Sequence, residues 1–193
     1  MKTIDYHAVQ SKQCRYQFMQ AFKLVAGDEF PKLTVSNLNG GEIDLGAPSA
    51  PNDWKLVVVY RGKHCPLCTK YLTQLNDFSA RLAELKVDLV AVSADPIEKT
   101  REQMSTVNPN YTVGYGLSIE QMKSLGVYIS DPRSPEETDR PFAEPGLFLI
   151  NEKGTLQIVD ISNAPFARPD LETLVGGIDF VRSNDYPIRG THQ

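Results

Sequence analysis

The sequence predicts an α/β domain of three layers with a mixed central sheet. Three observations carry that prediction. Short β-branched runs at 55–60 and 87–92 lack polar alternation, as strands buried on both faces do. Amphipathic stretches alternate with these runs, and a hairpin followed by a helix closes the chain. At 193 residues, 41% hydrophobic and 23% charged, the chain suits one decorated globular domain that folds without staples. Twenty Lys and Arg against twenty-four Asp and Glu leave a net charge of −4. No basic excess exists to replace phosphate counterions, so nucleic acid is not an expected partner.

Residues 1–27 read as a helical lead-in with Tyr16, Met19, Ala21, Phe22 and Val25 as its apolar stripe. It has no apolar core of a signal peptide, and the longest apolar run, Leu56 to Tyr60, is too short to cross a bilayer. A soluble, cytoplasmic protein without membrane contact is the expectation. Leu33–Val35 and Glu42–Leu45 form a hairpin through Asn39-Gly40-Gly41. After a loop marked by Pro48 and Pro51, Lys55–Tyr60 is a buried strand. Residues 66–85 place Cys68, Leu72, Leu75, Phe78, Leu82 and Leu85 at spacings of three and four, a helix. Val87–Val92 is the second buried strand, and Asp95-Pro96 opens a helix to about Met104. Tyr111–Tyr115 is a strand, and Ser118–Leu125 a helix stopped by Gly126. Residues 130–146 hold four prolines and an excess of acids, a long irregular loop of the kind that carries function. Leu147–Asn151 and Leu156–Ile161 pair across Glu152-Lys153-Gly154, and Pro169 to Val181 closes as a helix. Gly176-Gly177 weakens that helix by about 1 kcal/mol per glycine.

Of three cysteines, Cys65 and Cys68 form C-P-L-C between the buried strand and the long helix, while Cys14 stands apart as a small hydrophobe. Pro66 suits the first helical position, which makes Cys65 the N-cap and sets Cys68 inside the first turn. Free N–H groups and the helix dipole there favour a thiolate, and Lys63 and a protonated His64 add positive charge. The outer thiol, Cys65, is expected to be accessible and Cys68 buried. A disulfide between them closes a tiny loop, adds little stability and can cycle. Zinc lacks a second ligand pair, since only Cys14, His7, His64 and His192 remain, and Thr69 after Cys68 excludes haem attachment. No cofactor and no metal are expected.

On these residues the chain resembles the alkyl hydroperoxide reductase / thiol-specific antioxidant (AhpC/TSA) family, the peroxiredoxin-like branch of the thioredoxin fold. The resemblance covers residues 27–182: GDEFP with its hairpin, LVVVY feeding RGKHCPLC, the inserted strand and helix, and PGLFLINEKG. It implies a thioredoxin-like α/β/α domain, an extension at 1–26 and a tail at 183–193. It also implies that Pro145 is the cis-proline shaping the substrate groove, with Glu144 near the cysteines as a proton-transfer or selectivity group. Aligning Cys68 with the family's attacking cysteine puts Arg61 at its proline and Cys65 at its threonine. The family's peroxide-polarising arginine then falls at Pro145, leaving Arg61, Arg140 or Arg168 to replace it. Against thioredoxin itself, His64 replaces the tryptophan before the first cysteine.

The leading expectation is a thiol–disulfide oxidoreductase in which Cys65 attacks and Cys68 resolves, with His64, Arg61, Pro145 and Glu144 shaping the groove. The alternatives are a thiol peroxidase working through a sulfenic acid, in which either cysteine leads, and a non-catalytic redox sensor. Expected partners are a disulfide or peroxide substrate and a thiol donor such as thioredoxin, glutaredoxin or glutathione.

Overall fold

The computed structural model describes residues 23–192. Thirteen elements follow one another: β1 (Thr34–Asn37), β2 (Glu42–Asp44), β3 (Trp54–Val59), α1 (Pro66–Glu84), β4 (Val87–Val92), α2 (Ile97–Val107), β5 (Thr112–Tyr115), α3 (Ile119–Ser124), β6 (Ile129–Ser130), β7 (Phe142–Ala143), β8 (Gly146–Ile150), β9 (Leu156–Ile161) and α4 (Leu171–Ser183). A seven-stranded sheet runs β2-β1-β5-β4-β3-β8-β9, and β6 with β7 makes a separate ribbon. The centre is parallel, β3 on β4 and β4 on β5, while β1 and β8 run antiparallel to their central neighbours. This is the mixed α/β sheet that the sequence pattern predicts, in the thioredoxin-like arrangement that the family resemblance implies.

The uninterrupted apolar strands have the reason expected of them. Leu56 and Val58 of β3 face one core cluster, with Leu72, Leu75 and Val175 of the helices α1 and α4. Val57 and Val59 face the other, with Met122 of α3 and Phe148 of β8. Side chains alternate at period two, so a strand packed on both faces has no position left for water. Met104 and Val107 place α2 on the α1 side.

Local chemistry sets the element ends. Ser118 and Gln121 form a capping box on α3, and Gly126 follows with φ +65°. Asp170 accepts Thr173 N–H at 2.9 Å and caps α4, which runs through Gly176-Gly177 because Leu174, Val175 and Ile178 are buried. Residues 23–25 do not continue a helix, and Val25 is exposed. The stripe expected at Tyr16 to Phe22, like Cys14 and His7, lies outside the described residues. The 130–146 loop is not wholly irregular, since β6 and β7 pair at its base.

Candidate active site

Strand β3 ends at Val59, and residues 60–65 turn the chain into α1. Gly62 has φ +130°, and a Cβ on it would lie 2.6 Å from Asp95 Oδ2. That closeness is used, because the Lys63 N–H donates to Asp95 Oδ2 at 2.7 Å. Asp95 therefore braces the turn instead of capping α2, whose N-cap is Pro96 with no side-chain bond. From α2, Gln103 Nε2 donates to the Gly62 carbonyl at 3.3 Å and to Thr69 Oγ1 at 2.9 Å. Sequence reasoning missed both braces. The available signal was Thr100 and Gln103, polar residues on the face of α2 that is buried.

Cys65 is the N-cap with extended backbone, Pro66 begins the helix, and Cys65 Sγ accepts the Cys68 N–H at 3.2 Å. The two cysteines are joined by a disulfide, with Cα atoms 5.2 Å apart. An accessible outer sulfur is not what the fold provides: Cys65 is 2% exposed and Cys68 0%. The capping side chain folds back over the first turn, and both sulfurs join the core cluster of Tyr60, Leu72 and Leu147.

Arg168, in the loop between β9 and α4, reaches this pair. Its Nη2 lies 3.4 Å from Cys68 Sγ, its Nη1 donates to the Pro165 carbonyl at 3.1 Å, and its guanidinium stacks 5.1 Å from the Tyr71 ring centre. Burial pushes its pKa down to about 10, so it remains a cation near neutrality. Burial likewise pushes Tyr71 up to about 12, and its neutral hydroxyl donates to the Pro169 carbonyl at 3.2 Å. An open groove of about 550 Å³ meets Arg168 here, with Leu67, Tyr71, Phe78 and Phe166 on its walls. Leu67 and Phe166 are exposed.

Arg61, Glu144 and His64 form a separate group, with Arg61 and His64 against the Phe142 ring. Arg61 pairs with Glu137 at 3.5 Å and Glu144 at 3.4 Å and lies 4.6 Å from the Phe142 ring centre. Ser130 Oγ donates to Glu144 Oε1 at 2.6 Å, so this buried carboxylate is engaged with Arg61 and Ser130 rather than with a sulfur. His64 stacks on Phe142 with centroids 4.5 Å apart, and both its ring nitrogens are buried without a partner. Burial, then the Arg61 charge, lowers its pKa, so it is neutral at pH 7 and brings no positive charge to the turn. Lys63 is paired with Glu102.

Pro145 directly precedes β8 as expected, but its bond is trans; among the described residues the cis bond is Ala50–Pro51. The Glu144 N–H donates to the Tyr128 carbonyl at 2.8 Å and the Ser162 N–H to the Pro145 carbonyl at 3.0 Å, which draws this segment into β8 as extended chain. Arg140 pairs with Asp139 at 2.9 Å. His192 is exposed in the tail. Among the described residues no three His, Cys, Asp or Glu stand together to hold a metal ion, and no helix is long and apolar enough to cross a membrane.

The AhpC/TSA family model matches residues 26–159. Solved structures share the fold at low identity. A cysteine-to-serine mutant of peroxiredoxin 6 of Arenicola marina is 17% identical with a TM-score of 0.68, over 81% of this chain and 72% of that one. A peroxiredoxin-like protein from Aquifex aeolicus is 19% identical with a TM-score of 0.69, over 83% and 89%. The peroxidoxin BcpB of Mycobacterium tuberculosis is 16% identical with a TM-score of 0.66, over 81% and 97%. No curated protein matches the sequence.

Proposed function

The chain belongs to the AhpC/TSA family of thiol-dependent oxidoreductases, and on that premise we propose that it is a thiol peroxidase in which Cys68 attacks and Cys65 resolves. One observation carries the assignment of roles: Arg168, which lines a groove open to solvent, has its Nη2 3.4 Å from the buried Cys68 Sγ. A fixed cation beside that sulfur favours its thiolate and stabilises charge on the oxygen it attacks. The Cys68 thiolate attacks the terminal oxygen of ROOH, the O–O bond breaks, and RO⁻ leaves to be protonated to ROH. Cys68 is then a sulfenic acid. The Cys65 thiolate attacks Cys68 Sγ, expels hydroxide and forms the disulfide, which a thiol donor such as thioredoxin, glutaredoxin or glutathione reduces. Arg168 thereby does from the β9–α4 loop what Pro145, at the family arginine's position, cannot do.

The working unit in this reading is residues 27–182, with 1–26 an extension and 183–193 a tail. A pair that cycles suits a reducing compartment, and the cytoplasm is the natural one. Thiol–disulfide exchange with Cys65 attacking is the second reading, and Cys65 at the N-cap of α1 is the observation that favours it.

Stopped-flow mixing of reduced protein with stoichiometric peroxide, followed by intact mass, tests the assignment. Cys65→Ser is expected to stop at a sulfenic acid on Cys68, while Cys68→Ser is expected to lose peroxide reactivity. A sulfenic acid on Cys65 in the Cys68→Ser variant would reverse the roles. Slow peroxide reaction with rapid attack on a small disulfide would favour the second reading.

A further inference from the structure

Resting on the role that the peroxidase reading gives to Arg168, we propose that Tyr71 is its positioning residue: the ring face holds the guanidinium at Cys68 Sγ and leaves its charge unneutralised. Tyr71 stands three positions after Cys68 on α1, so the helix carries the ring and the sulfur on one face. The guanidinium carbon of Arg168 lies 5.1 Å from the ring centre, within cation–π range, while its Nη2 lies 3.4 Å from Cys68 Sγ. Its hydrogen bond to its own loop goes to a neutral group, the Pro165 carbonyl, which accepts from Nη1 at 3.1 Å. The Tyr71 hydroxyl donates to the Pro169 carbonyl at 3.2 Å. One side chain of α1 thus grips both Arg168 and the residue that follows it.

A ring suits this place because of the charge it lacks. A carboxylate within reach would pair with the guanidinium, as Glu137 and Glu144 pair with Arg61. An anion forming on Cys68 would then face a neutral pair. The ring quadrupole attracts the cation and adds no net charge. Burial pushes Tyr71 up to about 12, so no phenolate forms near neutrality to cancel the guanidinium. The charges that act on Tyr71 are Arg168, Asp160 of β9 and Asp170 before α4, and those that act on Arg168 besides the phenol are Glu144 and Arg61. Among the described residues none of these carboxylates forms an ion pair with Arg168.

The surroundings of Arg168 show why it needs holding. With Val58, Leu147 and Asp160, Arg168 and Tyr71 line a cavity of about 10 Å³, room for about one water. Both residues also line the open groove of about 550 Å³, where a long side chain would gain freedom and full hydration. The ring sets that alternative aside. Without it, the guanidinium relaxes into the groove, and a Cys68 thiolate loses the cation that favours it over the thiol.

The test involves no peroxide, so it is decided separately from the peroxidase reading. Full-length protein carrying Cys14→Ser and Cys65→Ser keeps Cys68 as its single cysteine, and the thiolate is titrated by ultraviolet absorbance. Tyr71→Leu is expected to raise the titration midpoint by about one pH unit, roughly a tenfold loss of thiolate at lower pH, and Tyr71→Phe to leave it in place. Tyr71→Met, closer in length to the original side chain, is expected to match Tyr71→Leu and replaces it if the leucine variant loses its cooperative melting. In protein that also carries Arg168→Met, Tyr71→Leu is expected to add no further shift, because the ring acts through the guanidinium. An unmoved midpoint in the leucine and methionine variants, an equal shift in Tyr71→Phe, or an undiminished shift without Arg168 would each overturn the proposal. Slow peroxide oxidation of the unaltered protein, with the midpoint shifts as expected, would instead defeat the peroxidase reading and leave the positioning role of Tyr71 standing.

Discussion

The two flanks of the active-site turn each present an arginine, and the two arginines are held differently. Arg61 has two carboxylates, Glu137 and Glu144, within 3.5 Å, and it ties the 130–146 loop to the turn. Arg168 has no salt-bridge partner among the described residues; its neighbours are a carbonyl, a tyrosine ring and Cys68 Sγ. A guanidinium already neutralised by carboxylates organises structure. One desolvated beside a sulfur, with no carboxylate paired to it, is available to an anion that forms there. An arginine's role here follows from what has already neutralised it.

The largest effect expected from this contrast is on chemistry. Arg168→Met should slow oxidation of the reduced protein by peroxide by about 10²–10³-fold, the cost of one preorganised donor to a developing oxyanion. Arg61→Met should slow it by less than about tenfold and lower the melting temperature instead. Stopped-flow rates on both variants decide the matter, and equal losses would erase the distinction between the flanks.

The turn itself comes next. Gly62→Ala should cost about 2–3 kcal/mol in urea unfolding, because a positive φ and a close approach to Asp95 act together. Gly116 shares the positive φ, but a Cβ there meets nothing within 4 Å. Its alanine variant should cost only about 1 kcal/mol. The difference between the two isolates the Asp95 contact.

The smallest effect is the pH response of the His64 flank. Burial lowers the pKa of His64 in the folded state, so below its ordinary value of about 6.5 the unfolded chain binds the proton more strongly. The stability from a neutral His64 is therefore present above about pH 6.5 and is lost as pH falls through the folded pKa. Melting scans at about pH 7 and about pH 5 should show a smaller drop for His64→Asn than for the unaltered protein. An identical drop would mean that the ring is solvated enough to protonate freely.

Much of this was legible in the sequence. The paired runs Leu56 to Val59 and Leu89 to Val92 announced strands buried on both faces, and the spacing from Cys68 to Leu82 announced α1. Cys65-Pro66 announced an N-cap and a first turn, because capping depends on residues within a few positions of each other. The site's surroundings were not legible in the same way. Arg61, Arg140 and Arg168 were equivalent as letters. Asp95 read as the start of a helix, and Glu144 read as a neighbour of the sulfurs when its carboxylate is engaged with Arg61 and Ser130. Pro145 read as cis at a place where hydrogen bonds on either side hold extended chain.

By itself, then, the sequence determined the layers, the strand-to-helix turn and the presence of two sulfurs one helical turn apart. Those properties follow from periodicity and local capping, which act over a few residues. Only the tertiary structure decided that both sulfurs are buried, that Arg168 comes to one of them across 100 residues of chain, and that His64 is neutral. Desolvation and long-range charge depend on what the rest of the fold brings alongside, and no short stretch of chain encodes that.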